Sequence, residues 1–96
     1  MIEVRQTAEF SRWLRRLRDA NAVARVVARI RRMEQGNLGD TRNLRSGLTE
    51  MRVDYGPGYR VYFVQRGKAI VILLCAGDKR TQRKDIERAR ELVEKL

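Results

Sequence analysis

The run Ala69 to Ala76, AIVILLCA, constrains the fold more than any other stretch of this chain. It is too short to cross a membrane and rich in Ile and Val, so it reads as a central strand buried on both faces. Such a strand needs helices over at least part of each face, or a protein partner. Just before it, Arg66, Gly67 and Lys68 form a compact hairpin connection. The preceding segment alternates, with Tyr59, Val61, Phe63 and Gln65 facing one way and Arg60, Tyr62, Val64 and Arg66 the other. The two strands should pair antiparallel, with Arg60 on the face opposite Val61 and Phe63.

Upstream, Leu48, Met51 and Val53 begin the sheet core, while Thr49 and Glu50 disturb the alternation and suggest a bulge. Tyr55, Gly56, Pro57 and Gly58 make the turn into the next strand. Thr41 to Arg45 reads as extended, with a sharp turn at Ser46 and Gly47. At the N-terminus Ile2 and Val4 alternate with charged residues as in a short strand, and Thr7 caps a helix bearing Phe10, Trp13, Leu14 and Leu17. Asp19 to Asn21 is a tight corner in which Asn21 is the expected cap of a second helix, whose stripe is Val23, Val26, Val27, Ile30 and Met33. After the strand-ending Gly77, with Thr81 or Asp78 as a cap, Ile86, Ala89, Leu92, Val93 and Leu96 trace a last helix. On its surface Glu87 can pair with Arg90 and Glu91 with Lys95.

These elements predict an α+β fold: two N-terminal helices and a C-terminal helix packed on a small, twisted, mainly antiparallel sheet. A chain of 96 residues closes one modest core, so residues 1–96 are expected to form a single domain. The formal net charge is +10, from 22 Lys and Arg against 12 Asp and Glu, and most of the cations are arginine. A field of that sign attracts nucleic acid, acidic membrane or an acidic protein. Arginine adds bidentate contacts to phosphate or carboxylate. The exposed arginines Arg12, Arg15, Arg16 and Arg18 read first as a solvated helix face.

The single cysteine, Cys75, lies in the apolar run and is expected to be a buried, unreactive thiol, compatible with a reducing cytoplasm. No stretch approaches the roughly 18 apolar residues of a membrane span, and MIEVRQTAEF lacks the order of a signal peptide. Cytoplasmic residence with no membrane partner is the expectation.

With no histidine and one cysteine, zinc sites of the finger, ribbon or deaminase kind are unsupported and a Cys-His nucleophile is impossible, and no glycine pattern matches a phosphate-binding or dinucleotide loop. Glu50 and Asp54 lie four residues apart on a strand, about 13 Å, too far to share one ion, and read as solvent-facing or salt-bridged. No metal or other cofactor is expected. What remains is anion binding or metal-free phosphoryl chemistry. RNA is cleaved by its own 2′-hydroxyl when a protein holds that oxygen in line and stabilises charge on the phosphate. Arg60, Lys79, Arg80 and Arg83, supplemented by Arg52 and Lys84, suit the phosphate. Tyr55, Tyr59 and Tyr62 are the only phenols available to move a proton.

The segments MRVDYGPGYRVYF and GKAIVILLCAGDKRTQRKDIERARELV, with the Leu38-Gly39-Asp40 element, resemble the phage-derived, HigB-like branch of the RelE/ParE toxin superfamily, the addiction-module killer proteins. The resemblance spans roughly Thr7 to Leu96 and is densest from Gly47 to Ala89. It implies a toxin of a type II toxin–antitoxin system, paired with a HigA-like helix-turn-helix antitoxin, and a heterotetramer is one stoichiometry it allows. RelE- and HigB-like members are mRNA interferases, endoribonucleases that act on the 70S ribosome without a metal and inhibit translation. ParE-like members instead inhibit DNA gyrase. A non-catalytic part in an operon-regulating antitoxin complex is a third alternative.

Residue by residue, Arg60 matches the strand arginine used on the scissile phosphate, and Lys79 or Arg80 matches the basic residue after the strand-ending glycine. Arg52 stands in for a basic residue of the preceding strand. The family's tyrosine or histidine near the start of the last helix is missing, since the chain reads Arg83, Lys84, Asp85 and Ile86. Proton transfer is then absent, weak, or supplied by Tyr55, Tyr59 or the ribosomal RNA.

Overall fold

The computed structural model describes all of residues 1–96. In chain order it contains β1 (Glu3–Gln6), α1 (Ala8–Arg16), α2 (Ala20–Glu34), β2 (Thr41–Asn43), β3 (Leu48–Val53), β4 (Tyr59–Arg66), β5 (Ile70–Asp78) and α3 (Gln82–Glu94), with 3-10 turns at Arg45–Gly47 and Lys79–Thr81. The sheet order is β1-β5-β4-β3-β2. Only β1 and β5 run parallel, and every other neighbouring pair is antiparallel. The predicted architecture holds.

The apolar run is buried on both faces, as its composition requires. Val71, Leu73 and Ala76 join Phe10 of α1 and Val26, Ile30 and Met33 of α2 in one cluster. Leu74 and Cys75 join Ala89 of α3, with Ile86, Leu92 and Val93 packed against them, in a second cluster on the other face. Consecutive residues share a face because β5 bulges: Tyr62 lies opposite Cys75 and Phe63 opposite Leu73, which leaves Leu74 as the extra residue.

The bulge is therefore in β5 and not around Thr49 and Glu50. β3 keeps unbroken register with β4, from Leu48 opposite Val64 to Val53 opposite Tyr59. Its irregular apolar pattern arises because the strand is buried on both sides. Leu48 packs toward α3, while Met51 and Val53 pack toward α1 and α2.

Local caps fix where the helices begin. The Thr7 hydroxyl accepts from Phe10 N at 3.1 Å and donates to Leu74 O at 2.6 Å, so one side chain starts α1 and ties it to β5. The cap of α2 is Asp19, one residue outside the helix, and not Asn21. Its carboxylate accepts from the backbone N–H groups of Asn21 and Ala22 at 2.9 and 3.3 Å.

The surface pairs expected on α3 are replaced by others. Arg88 pairs with Glu9 and Glu91, and Arg90 donates to Arg45 O at 2.8 Å. No helix is long and apolar enough to cross a membrane.

Candidate functional site

Strand alternation and register place Arg52 of β3, Arg60 of β4 and Gly77 of β5 side by side on the face that carries α3. Two arginines directly opposite each other repel, and each is held by separate partners. Arg52 Nη2 donates to Asp40 Oδ1 at 2.7 Å. Arg60 Nη1 donates to Gly58 O at 2.9 Å, and its Nε lies 3.8 Å from Glu50 Oε2. Both arginines line a cleft of about 290 Å³ with Asp40, Val53, Asp54, Gly58 and Tyr59. The Arg60 side chain is only 15% exposed, so it presents part of one guanidinium edge to this cleft.

Beside them, Glu50 is buried, with a side chain 1% exposed. Its Oε2 accepts from Tyr62 Oη at 3.0 Å and from Gln82 Nε2 at 2.8 Å, and its Oε1 lies 3.5 Å from Arg42 Nη2. The expectation of a solvent-facing or salt-bridged Glu50 is met only in its second half. The carboxylate is interior, and it links β2, β3, β4 and α3.

Lys79 flanks the same cleft: a β-carbon placed on Gly58 would lie 3.3 Å from Arg60 Nη1 and 3.8 Å from Lys79 Cβ. Lys79 has no carboxylate within ion-pair distance. Arg80 is 82% exposed and turned onto Asp78, with Nη2 donating to Oδ2 at 3.0 Å, which holds the Asp78 carboxyl below its usual range. Arg83 lines a separate groove of about 350 Å³ with Arg42, Gln82, Ile86 and Glu87. Lys84 is exposed on the first turn of α3. The structure thus brings Arg52 and Arg60 to one cleft, sets Lys79 next to its Gly58 wall and Arg83 in a separate groove, and leaves Arg80 paired with Asp78.

The phenols divide. Tyr55 and Tyr59 both pack against the α1–α2 cluster, and Tyr59 also lines the cleft that holds Arg60. Tyr55 Oη donates to Asp19 Oδ2 at 3.0 Å, and the Arg25 guanidinium sits 4.7 Å from its ring centre. Tyr59 meets Trp13 edge-on at 6.0 Å, and burial, reinforced by Asp19 and Asp78, raises its pKa. Tyr62 is buried, and desolvation together with Glu50 pushes its phenol far above the ordinary range.

Residues 12–94 match the model of the phage-derived protein Gp49-like family (DUF891). The chain belongs to this family. An uncharacterized protein of Haemophilus influenzae is 44% identical over 95 residues, covering 99% of this chain and 96% of the relative. No solved structure matches.

In this Gp49-like protein the site also draws on residues that the sequence reading did not select. Gln82 and Arg42 reach Glu50, and Asp85 sits over Gly77, where a β-carbon would collide with its carboxylate. Thr81 Oγ1 donates to Asp85 Oδ2 at 2.5 Å, yet burial still raises the Asp85 pKa. One signal for Glu50 was available: an acid between Leu48 and Arg52 on a strand whose partner carries Tyr62 directly opposite. No three of the chain's Cys, Asp and Glu residues gather as metal ligands.

Proposed function

We propose that this Gp49-like protein is the toxin of a type II toxin–antitoxin pair and cleaves mRNA on the ribosome without a metal, thereby inhibiting translation. The observation that carries this reading is the pairing of Arg52 and Arg60 on one open cleft, with Arg60 anchored by Gly58 O and facing Glu50, and with Lys79 adjoining the cleft at Gly58. Guanidinium groups held in place before the substrate arrives stabilise the charge that builds on a phosphate under in-line attack by the 2′-hydroxyl. In this reading Arg60 and Lys79 contact the scissile phosphate, Arg52 and Arg83 guide the flanking backbone, and Arg80 and Lys84 add field at the rim. Of the candidate proton donors, Tyr59 is the one that lines this cleft, while Tyr55 is turned onto Asp19. A helix-turn-helix antitoxin bearing an acidic segment suits the strongly positive net charge of the chain, and the pair acts in the cytoplasm.

The test is controlled expression with and without active translation, followed by mapping of mRNA 5′ ends. Cuts should require translation and disappear in a folded Arg60→Ala variant. Undiminished cutting by that variant sinks the assignment. A ParE-like inhibition of DNA gyrase is the second reading, favoured by the lack of any aromatic or histidine from Gln82 to Ile86 and by the engagement of the Tyr55 hydroxyl with Asp19. It predicts DNA breaks with mRNA left intact.

A further inference from the structure

We propose that Glu50 is the positioning residue for Arg60, setting the direction in which that guanidinium meets a phosphate. The inference rests on the phosphate role proposed for Arg60. A carboxylate as buried as this one is costly to desolvate and is compensated only by close donors. Glu50 has two, Tyr62 Oη and Gln82 Nε2, and both bind Oε2. Its remaining environment consists of two guanidiniums, one facing each oxygen: Arg42 Nη2 at 3.5 Å from Oε1 and Arg60 Nε at 3.8 Å from Oε2. Glu50 Oε1 and Arg60 Nε are both buried without a hydrogen-bond partner.

The consequence for Arg60 is directional. Gly58 O engages Nη1 on one side, and the Glu50 charge attracts the Nε edge on the other. The side chain is therefore tethered at two points, and its Nη2 end remains for an anion in the cleft. Tyr62 of β4 and Gln82 of α3 both donate to Oε2, so loss of the Tyr62 hydroxyl leaves the carboxylate held by Gln82 and its charge still facing Arg60. A phosphate that draws on Arg60 needs no new ordering of this side chain, which is the entropic advantage of a preorganised donor.

Two measurements on the full-length protein test this. The first is side-chain nitrogen NMR of the Arg60 Nε–H group. It should exchange slowly with solvent in the wild type, at least about 10-fold faster in Glu50→Gln, and at the wild-type rate in Tyr62→Phe, which removes a bond to Glu50 but leaves its charge facing Arg60. An Arg60 signal unchanged in Glu50→Gln overturns the inference, as does equal loosening in both variants, which marks Glu50 as generic core support.

The second is the single-turnover rate of mRNA cleavage on programmed ribosomes. Glu50→Gln should be slower by about 10- to 100-fold at an unchanged half-saturating ribosome concentration, because a misaimed guanidinium weakens the transition state more than binding. If Arg60→Ala abolishes cleavage while Glu50→Gln cuts at the wild-type rate, positioning is refuted and the interferase reading stands. If the wild type never cuts mRNA, that reading falls, and the NMR comparison alone decides the role of Glu50.

Discussion

Arg88 of α3 grips Glu9 of α1 with two donors, Nε at 3.0 Å from both carboxylate oxygens and Nη2 at 2.7 Å from Oε1, and so joins the helices that cover opposite faces of the sheet. The contact with Arg88 lowers the Glu9 pKa. A carboxyl lowered on folding adds stability that is present above its unfolded value and fades as pH falls through the folded one. Glu9→Gln should therefore lower the urea midpoint at neutral pH. The difference from the wild type should shrink below the ordinary glutamate value of about 4.3 and vanish in strong acid. A gap that persists undiminished at low pH means that the glutamine harms packing and that the ion pair contributes nothing.

The Leu38-Gly39-Asp40 element has a packing explanation. Arg29 of α2 donates Nη1 to Arg52 O at 2.6 Å and Nη2 to Leu38 O and Asp40 O at 3.2 and 3.4 Å, drawing the loop and the end of β3 onto the helix. Gly39 has φ +70, and a β-carbon there would meet Arg29 Nη2 at 2.6 Å, whereas one at Gly36 would meet nothing. Gly39→Ala should cost at least about 2 kcal/mol, combining left-handed strain with disturbed hydrogen bonds. Asparagine, which tolerates positive φ, should be accepted at Gly36 but not at Gly39. Equal denaturation midpoints for the two asparagine variants would remove the packing argument.

Gly77 answers to a different constraint. Its β-carbon would enter the Asp85 carboxylate and come within 2.7 Å of Thr81 Oγ1, so the bare backbone is what lets the start of α3 close over β5 beside Arg60. Gly77→Ala should destabilise by about 1–3 kcal/mol, the usual range for overpacking. Because the obstacle is mainly a side chain, adding Asp85→Ala should recover part of the loss. Strict additivity of the two substitutions in denaturant titrations tells against this close approach.

The order of elements was legible because hydrophobic periodicity reports which face of a helix or strand is buried, and the strand-helix-helix-strand-meander-helix succession emerged from it. The caps and the bulge were less accessible. Asp19 and Asn21 are both good caps, and only the chain direction at the corner selects the first. The face change at Leu74 and Cys75 is silent in a run where every residue is apolar. The site divided in the same way: Arg52, Arg60 and Lys79 could be selected by charge and by position beside turns. A Glu in a strand reads as a surface residue until its distant partners Tyr62 and Gln82 are known, and the alternation that sets Tyr59 against Trp13 gives no sign that the same residue also lines the cleft of Arg60.

Cys75 offers a direct probe of the α3 face. Burial, with a smaller contribution from Asp85, pushes its thiol pKa up to about 12, and the thiol donates to Asp85 O at 3.5 Å. At pH 8 only about one such thiol in ten thousand is ionised. Since the thiolate is the reactive form, the native protein should resist alkylation at that pH while the urea-unfolded chain reacts at the rate of an ordinary cysteine. Labelling then reports the opening of α3 from the sheet, and Gly77→Ala, which disturbs that seam, should accelerate it. Fast labelling of wild-type protein that keeps its native circular dichroism would place the thiol at the surface and contradict the packing of Cys75 beneath Ala89.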